Sequence, residues 1–300
     1  MEIVEQVSSV NGKLQKLRPS MGERELRAAL TASSRAGKLS VMRDRFILNV
    51  GVDSFPVTTQ WVEPFLRKII HVPGQRGNPE RYYPVAAIGP SFPGTFEYYV
   101  GSLVLHWQSQ EPETHRALNC DLEKLGIAQR VRANKLNDAT IELRVSRLAV
   151  GKSDDMVSVA DVGLGVSHVL PIAVALWAAD PGQLTFIEQP EIHLHPRAQV
   201  KLADILAGAA KRGVRVVAET HSTLLLTAIQ TLVAKGELKP ELVKFHWFQR
   251  DPKTGVTKVT STGLDENGAF SDSDWPEDFD QVILSADSAY LDAVAERSHR

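Results

Sequence analysis

The sequence predicts an α/β fold with a mostly parallel sheet. Two apolar runs carry this reading. Leu184–Ile187 closes on Glu188, and Val214–Ala218 closes on Glu219. Each has the look of a strand buried in a parallel sheet. Between them, Leu202, Ile205, Leu206 and Ala209 recur at i, i+3, i+4 and i+7, the spacing of one helical face. Pro196 stands where the first helical residue tolerates proline, and Gly213 where a helix stops.

Strand, helix and strand in that order form a crossover, so both strands end at one sheet edge. Glu188-Gln189 and Glu219-Thr220-His221 then lie side by side, where open α/β sheets bind ligands. Carboxylates and a histidine at such an edge suit a hard cation and a phosphate. The carboxylates would hold Mg2+ directly or through water, and the imidazole would reach the terminal phosphate.

Residues 1–45 are polar and rich in helix formers, which predicts one or two surface helices, an arm. FILNVGV (46–52) reads as a strand, and TTQWVEPFLRKIIHV as a helix broken near Pro64 that leads into another strand. Residues 71–96 are dense in Gly and Pro, which is loop chemistry. Arg76 and Arg81, with Tyr82 and Tyr83 beside them, either pin a surface loop or contact phosphate and bases. Residues 97–130 read as helices. Residues 139–160 read as a hairpin turning at 151–155. In DVGLGVSHVLPI, Gly163 and Gly165 allow close backbone approach, Ser167 is a candidate cap, and Pro171 is expected in the first helical turn. A glycine-rich turn feeding a helix is either an anion site or simply a tight turn. LVKFHWFQR and VTKVTST form a second strand pair around a turn at 251–255. An acidic connection and a helix follow.

Gly151-Lys152-Ser153 ends like a phosphate loop, but the first-glycine position is Ser146 and a strand follows. Residues 33–40 lack the glycine five residues before Gly37. Neither stretch predicts a phosphate loop.

Composition sets the broad class. With 23% charged residues and a net charge of −2, the chain has no global pull toward nucleic acid or an anionic surface. The single Cys120 forms no intrachain disulfide, fits a reducing cytosol, and reads as a small half-buried side chain. The longest apolar run, 169–179, is shorter than the roughly 20 residues that span a bilayer. A soluble cytoplasmic protein is expected, with no membrane partner.

Three motifs in order carry a resemblance. DVGLGVSHVLPI resembles an ABC-type signature, LTFIEQPEIHLHP a Walker B strand with its D-loop, and VVAETHS a switch-histidine strand. Together they resemble bacterial ABC/AAA-type ATPases of the SMC–RecF–OLD group, over roughly residues 70–280. PGQRGNPERYY and GLDENGAF…WPEDF add to it. The resemblance implies the carboxyl-terminal portion of a P-loop NTPase (ABC-type) fold. That portion comprises an arm or partial lobe at 1–70, the ATPase core at 71–250 and an extension at 251–300.

By the same resemblance, Glu188 is the acid near Mg2+. Gln189 stands at the catalytic-glutamate position, with Glu191 the nearest replacement base. His221 senses the γ-phosphate. Gly163, Gly165 and Ser167 contact a nucleotide held by the opposite subunit, and His193 and His195 flank Leu194 in a D-loop at a dimer interface. ATP and Mg2+ are the implied cofactors.

The family's opening strand, phosphate loop and helix have no counterpart in these residues. ATP hydrolysis is therefore expected only when that lobe is supplied, within a homodimer or by a partner chain. DNA repair or anti-phage defence, with DNA and a nuclease as partners, is the implied setting. Two other readings stand beside this one. One is a non-hydrolysing scaffold, suggested by Gln189. The other is a metallohydrolase using Glu191, His193, His195 and His221.

Overall fold

The computed structural model describes residues 38–43, 46–51, 66–146 and 155–271, with residues 288, 289 and 291. The chain divides into two compact units, Met1–Leu66 and Arg67–Arg300. In the first, β1 (Lys38–Arg43) pairs antiparallel with β2 (Phe46–Gly51). The surface helix expected up to residue 45 therefore gives way to a strand at 38–43. KLSV alternates polar and apolar residues, and the adjacent FILNVG supplies a partner ladder. The rest of the expected arm lies outside the described residues.

The second unit is α/β and is built around a parallel sheet. β3 (Ile70–Val72), β8 (Leu184–Glu188) and β9 (Arg215–Glu219) run parallel, with β8 central. The crossover from β8 to β9 is α4 (Pro196–Lys211). Its face carries the buried Leu202, Ile205, Leu206 and Ala209 expected from the spacing. Gly213 follows the helix at φ +89°, a conformation open to glycine at little cost.

A second sheet is antiparallel. β4 (Tyr83–Pro84), β6 (Thr140–Ser146) and β5 (Arg130–Lys135) run in that order, and β7 (Met156–Ser158) also pairs with β6. The β6–β7 pairing realises the expected hairpin, although Gly151-Lys152-Ser153 lies outside the described residues. β5 is a strand that sequence reasoning missed. In RVRANK only Val131 and Ala133 are apolar and buried, too short an alternation to stand out.

Helices α1 (Glu97–Gln110), α2 (Pro112–Leu125) and α3 (Leu164–Ala178) pack with α4 around one core. Trp177 donates its indole N–H to buried Asp121 at 2.8 Å and carries the Arg212 guanidinium on its ring face. α5 (Thr223–Ala234) follows β9, and β10 (Phe245–Arg250) pairs antiparallel with β11 (Thr257–Thr262).

Two further expectations are corrected. Pro171 lies inside α3 rather than in its first turn, because the helix begins at Leu164, with Gly163 as N-cap. Cys120 is exposed rather than half-buried, because it falls on the outer side of α2 while Leu118 and Leu122 take the core positions. Among the described residues, no helix is long and apolar enough to cross a membrane.

Candidate functional site

The site is built on the carboxyl ends of β8 and β9. Glu188 pairs in register with Glu219, and the Gln189 N–H donates to the Glu219 carbonyl at 2.7 Å. The chain then turns sharply. Gln189 has φ +43° and His193 φ +63°, in the left-handed region that non-glycine residues seldom enter. The loop 189–195 between them carries the candidate acids and histidines.

Glu188 is held from both sides. Its Oε2 accepts the Gly74 N–H at 2.9 Å, and its Oε1 lies 3.0 Å from His71 Nε2. The Gly74 N–H and then His71 hold this carboxyl below its ordinary range. His71 is steadied by stacking on its β8 neighbour Phe186, 5.2 Å between centroids. Gly74 sits close against β8: a Cβ would lie 3.3 Å from both Glu188 Cβ and Gln189 Oε1, which would have to give way slightly.

Arg76 fastens the loop 73–77 to β8. It is only 7% exposed. It donates to the carbonyls of Pro73 and Glu188 through Nη1, and to that of Gln189 through Nη2. This overturns its placement on a surface loop, and its guanidinium is occupied by carbonyls rather than turned out to a phosphate. Burial pulls its pKa down, while Glu97, Glu191 and Glu188 oppose that shift. Arg81 instead forms a two-point pair with Asp161, and Tyr83 packs against the core while Tyr82 is exposed.

His221 reaches the same edge. Its backbone N–H donates to Glu191 Oε1 at 2.9 Å, and its ring is exposed. Glu191 Oε2 is buried without a hydrogen-bond partner. Glu188, Gln189, Glu191 and His221 are thus brought together.

The remaining candidates have local tasks. Gly163 caps α3 and is exposed. Gly165 passes close to the 189–195 loop, where a Cβ would lie 3.1 Å from the His193 carbonyl. Ser167 does not cap α3; its hydroxyl donates to the Leu164 carbonyl, one turn back. His195 accepts the Arg197 N–H through Nδ1 as N-cap of α4, and the His193 ring packs edge-on against His168, 4.7 Å between centroids. Among the described residues, no group of three His, Cys, Asp or Glu side chains is placed to hold a metal ion. The ligand set of the metallohydrolase reading is therefore not assembled.

Sequence reasoning missed His71, Glu97 and His168. Glu97 opens α1, and burial raises its pKa against the pull of Arg76 and His71. His168 is 5% exposed, and burial, Arg76 and His193 push its pKa down while the Gly77 backbone opposes them. His168 falls within DVGLGVSHVLPI without having been singled out there, and His71 and Glu97 lie outside the motifs; all three meet the site only through tertiary packing.

Comparison with known proteins agrees in part. Residues 96–227 match a family model described as "AAA domain, putative AbiEii toxin, Type IV TA system". No curated protein matches the chain. Among solved structures, one similar fold is the Smc head bound to the C-terminal winged-helix domain of ScpA. It is 14% identical, covers 57% of this chain and 50% of that one, and has a TM-score of 0.39. A structure from work on ATP-driven dimerisation and DNA-stimulated activation of SMC ATPases is 14% identical. It covers 52% of this chain and 85% of that one, with a TM-score of 0.37. The Smc head with an extended coiled coil, bound to the ScpA C-terminal domain derived from Pyrococcus furiosus, is 15% identical. It covers 50% of this chain and 34% of that one, with a TM-score of 0.36. The chain thus spans half of the first and about a third of the last. Residues 96–227, which include every candidate residue named for the β8–β9 edge, are similar to an AAA-type ATPase domain.

Proposed function

We propose that the β8–β9 edge is the catalytic edge of an ABC-type ATPase, giving a Walker-B-like acid and a switch histidine to a Mg·ATP site. The in-register pairing of Glu188 with Glu219 carries this reading. It sets an ionised carboxylate, a glutamine amide and an exposed imidazole at the strand ends where α/β sheets bind ligands. The match of residues 96–227 to an AAA domain supports it.

The residues fit the group. Mg2+ at phosphate sites is commonly held by one or two carboxylates together with phosphates and water. Glu188, kept anionic by Gly74 and His71, is such a carboxylate. Bound Mg·ATP would supply the labile phosphoanhydride and neutralise charge developing on it. Gln189 orients a water but does not take its proton. Glu191 is the nearest replacement base, although the His221 N–H holds one of its oxygens and Oε2 is buried, so it would have to turn outward to accept a proton. The His221 ring is exposed, free to meet the terminal phosphate. In a homodimer or with a partner chain, the Gly163–Gly165 turn would approach the other nucleotide by its backbone, since the Ser167 hydroxyl is already engaged. The phosphate-binding lobe comes from another segment or a partner. DNA repair or anti-phage defence, with DNA and a nuclease as partners, is the setting we attach to it.

The test is Mg·ATP binding and phosphate release by the chain, alone and with its phosphate-binding lobe supplied. Glu188→Gln is expected to lower turnover about 100-fold or more, and His221→Ala to weaken binding. Turnover unchanged in both variants overturns the proposal. The scaffold reading keeps one specific support: Gln189 replaces a base, and both Glu188 oxygens already have protein partners. Binding without any turnover would favour it.

A further inference from the structure

A cleft of about 270 Å³ that shares no residue with the β8–β9 edge opens between α2 and β5. Its polar lining is His115, Arg116, Asn119, Arg130 and Arg132. The strand's alternation puts two of the arginines there together. Val131 and Ala133 are buried in the core, so Arg130 and Arg132 share the opposite face.

α2 serves the outer edge of β5. The Val131 N–H donates to Asn119 Oδ1 at 2.8 Å, and His115 Nε2 lies 2.8 Å from the Val131 carbonyl. The edge backbone at Val131 is thereby satisfied, and the arginines are left as the groups on offer. Burial, with Arg132 nearby, pushes the His115 pKa down, so the cleft's positive charge belongs to the arginines.

That charge is under-compensated. Arg116 shares the carboxylate of Glu113 through one nitrogen, Nη1. Among the described residues, Arg130 and Arg132 have no side-chain hydrogen bond or ion pair, and Arg130 Nε is buried without a partner. The register adds a second observation. Arg132 stands directly opposite Arg144 on β6, and like charges so placed repel. Arg144 Nη2 is spent on the Met156 carbonyl and its Nε has no partner. Glu142, the acid on that face, stands opposite Asn134 instead.

Planar guanidinium forks match phosphate oxygens at two points, and arginine is over-represented where such groups are bound. We propose that the α2–β5 cleft is a phosphate-binding site. It would take either a phosphorylated small molecule or the backbone phosphate of a single-stranded nucleic acid.

The experiment titrates the full chain with inorganic pyrophosphate by calorimetry and with a labelled single-stranded DNA 20-mer by anisotropy, at low and high salt. Arg130→Gln/Arg132→Gln is expected to weaken binding about tenfold or more. Arg116→Gln, on the exposed side of α2, is expected to weaken it about threefold. Pyrophosphate binding lost in the double variant identifies a small phosphorylated ligand. DNA binding that is salt-dependent and lost in the double variant, without pyrophosphate binding, identifies a nucleic-acid backbone. If the double variant melts without cooperativity, Arg116→Gln decides. The proposal is overturned if neither ligand binds, or if binding is unchanged in the folded variants. Glu188→Gln should leave this binding intact, which separates its failure from failure of the ATPase reading.

Discussion

Arg76 shows how one side chain can organise a site. Its charge is buried against Glu97, Glu188 and Glu191, and its nitrogens hold three backbone carbonyls. Removing one partner of such a network leaves the others uncompensated. Arg76→Met is expected to cost about 3 kcal/mol of stability, measured by denaturant unfolding. Retained stability would mean that the 73–77 loop is held by other contacts. Glu188 makes a complementary pH prediction. Its folded pKa is depressed, so its bonds to Gly74 and His71 add stability above the ordinary carboxylate value. That stability is lost as pH falls through the depressed value. Thermal melts from pH 6 to pH 3 should therefore converge for the wild type and Glu188→Gln at the acid end and diverge above it. Parallel curves would show that Glu188 is not linked to folding.

At the scale of elements, the β8 and β9 ends are joined through α4. Gln199 donates to the Leu194 carbonyl and accepts the Ser222 hydroxyl at 2.8 Å. Ser222 in turn accepts the Leu225 N–H as N-cap of α5. One glutamine thus ties the 189–195 loop to the segment carrying His221. Ser222→Ala should cost about 1 kcal/mol through the lost cap, read from the melting midpoint. Helix α3 illustrates the limits of local reading. Pro171 lies in its interior, among the buried residues Val166 to Leu176, and Ser167 is not its cap. A proline there cannot donate to the Ser167 carbonyl.

At the scale of the molecule, distant segments close the structure. The turn around Gly268 docks on α5. Gln230 donates its side-chain N–H to the Gly268 carbonyl at 3.0 Å, and a Cβ at 268 would lie 2.3 Å from the Gln230 carbonyl oxygen. With φ +75°, that position admits little but glycine. Gly268→Ala is expected to cost about 3 kcal/mol or to release residues 264–271 from the helix; hydrogen exchange across 226–234 would detect the release. An unchanged exchange pattern would show that the turn accommodates the methyl.

The sequence by itself determined the β8–α4–β9 crossover, its helix boundaries and the Glu188, Gln189 and His221 edge. Each rests on local chemistry: apolar runs, a 3.6-residue period, a proline at one helix end and a glycine past the other. Tertiary structure decided what those rules do not reach. It paired RVRANK into a sheet that two apolar residues alone do not announce. It drew Arg76 from a glycine-rich loop into the interior and turned the Ser167 hydroxyl back onto its own helix. It also brought His71, Glu97 and His168 to the site from three separate elements. The physical reason is common to all of these. Local patterns report backbone preference and the direction of burial, whereas the partners of a buried charge or an edge strand lie far along the chain and are set only when the core closes.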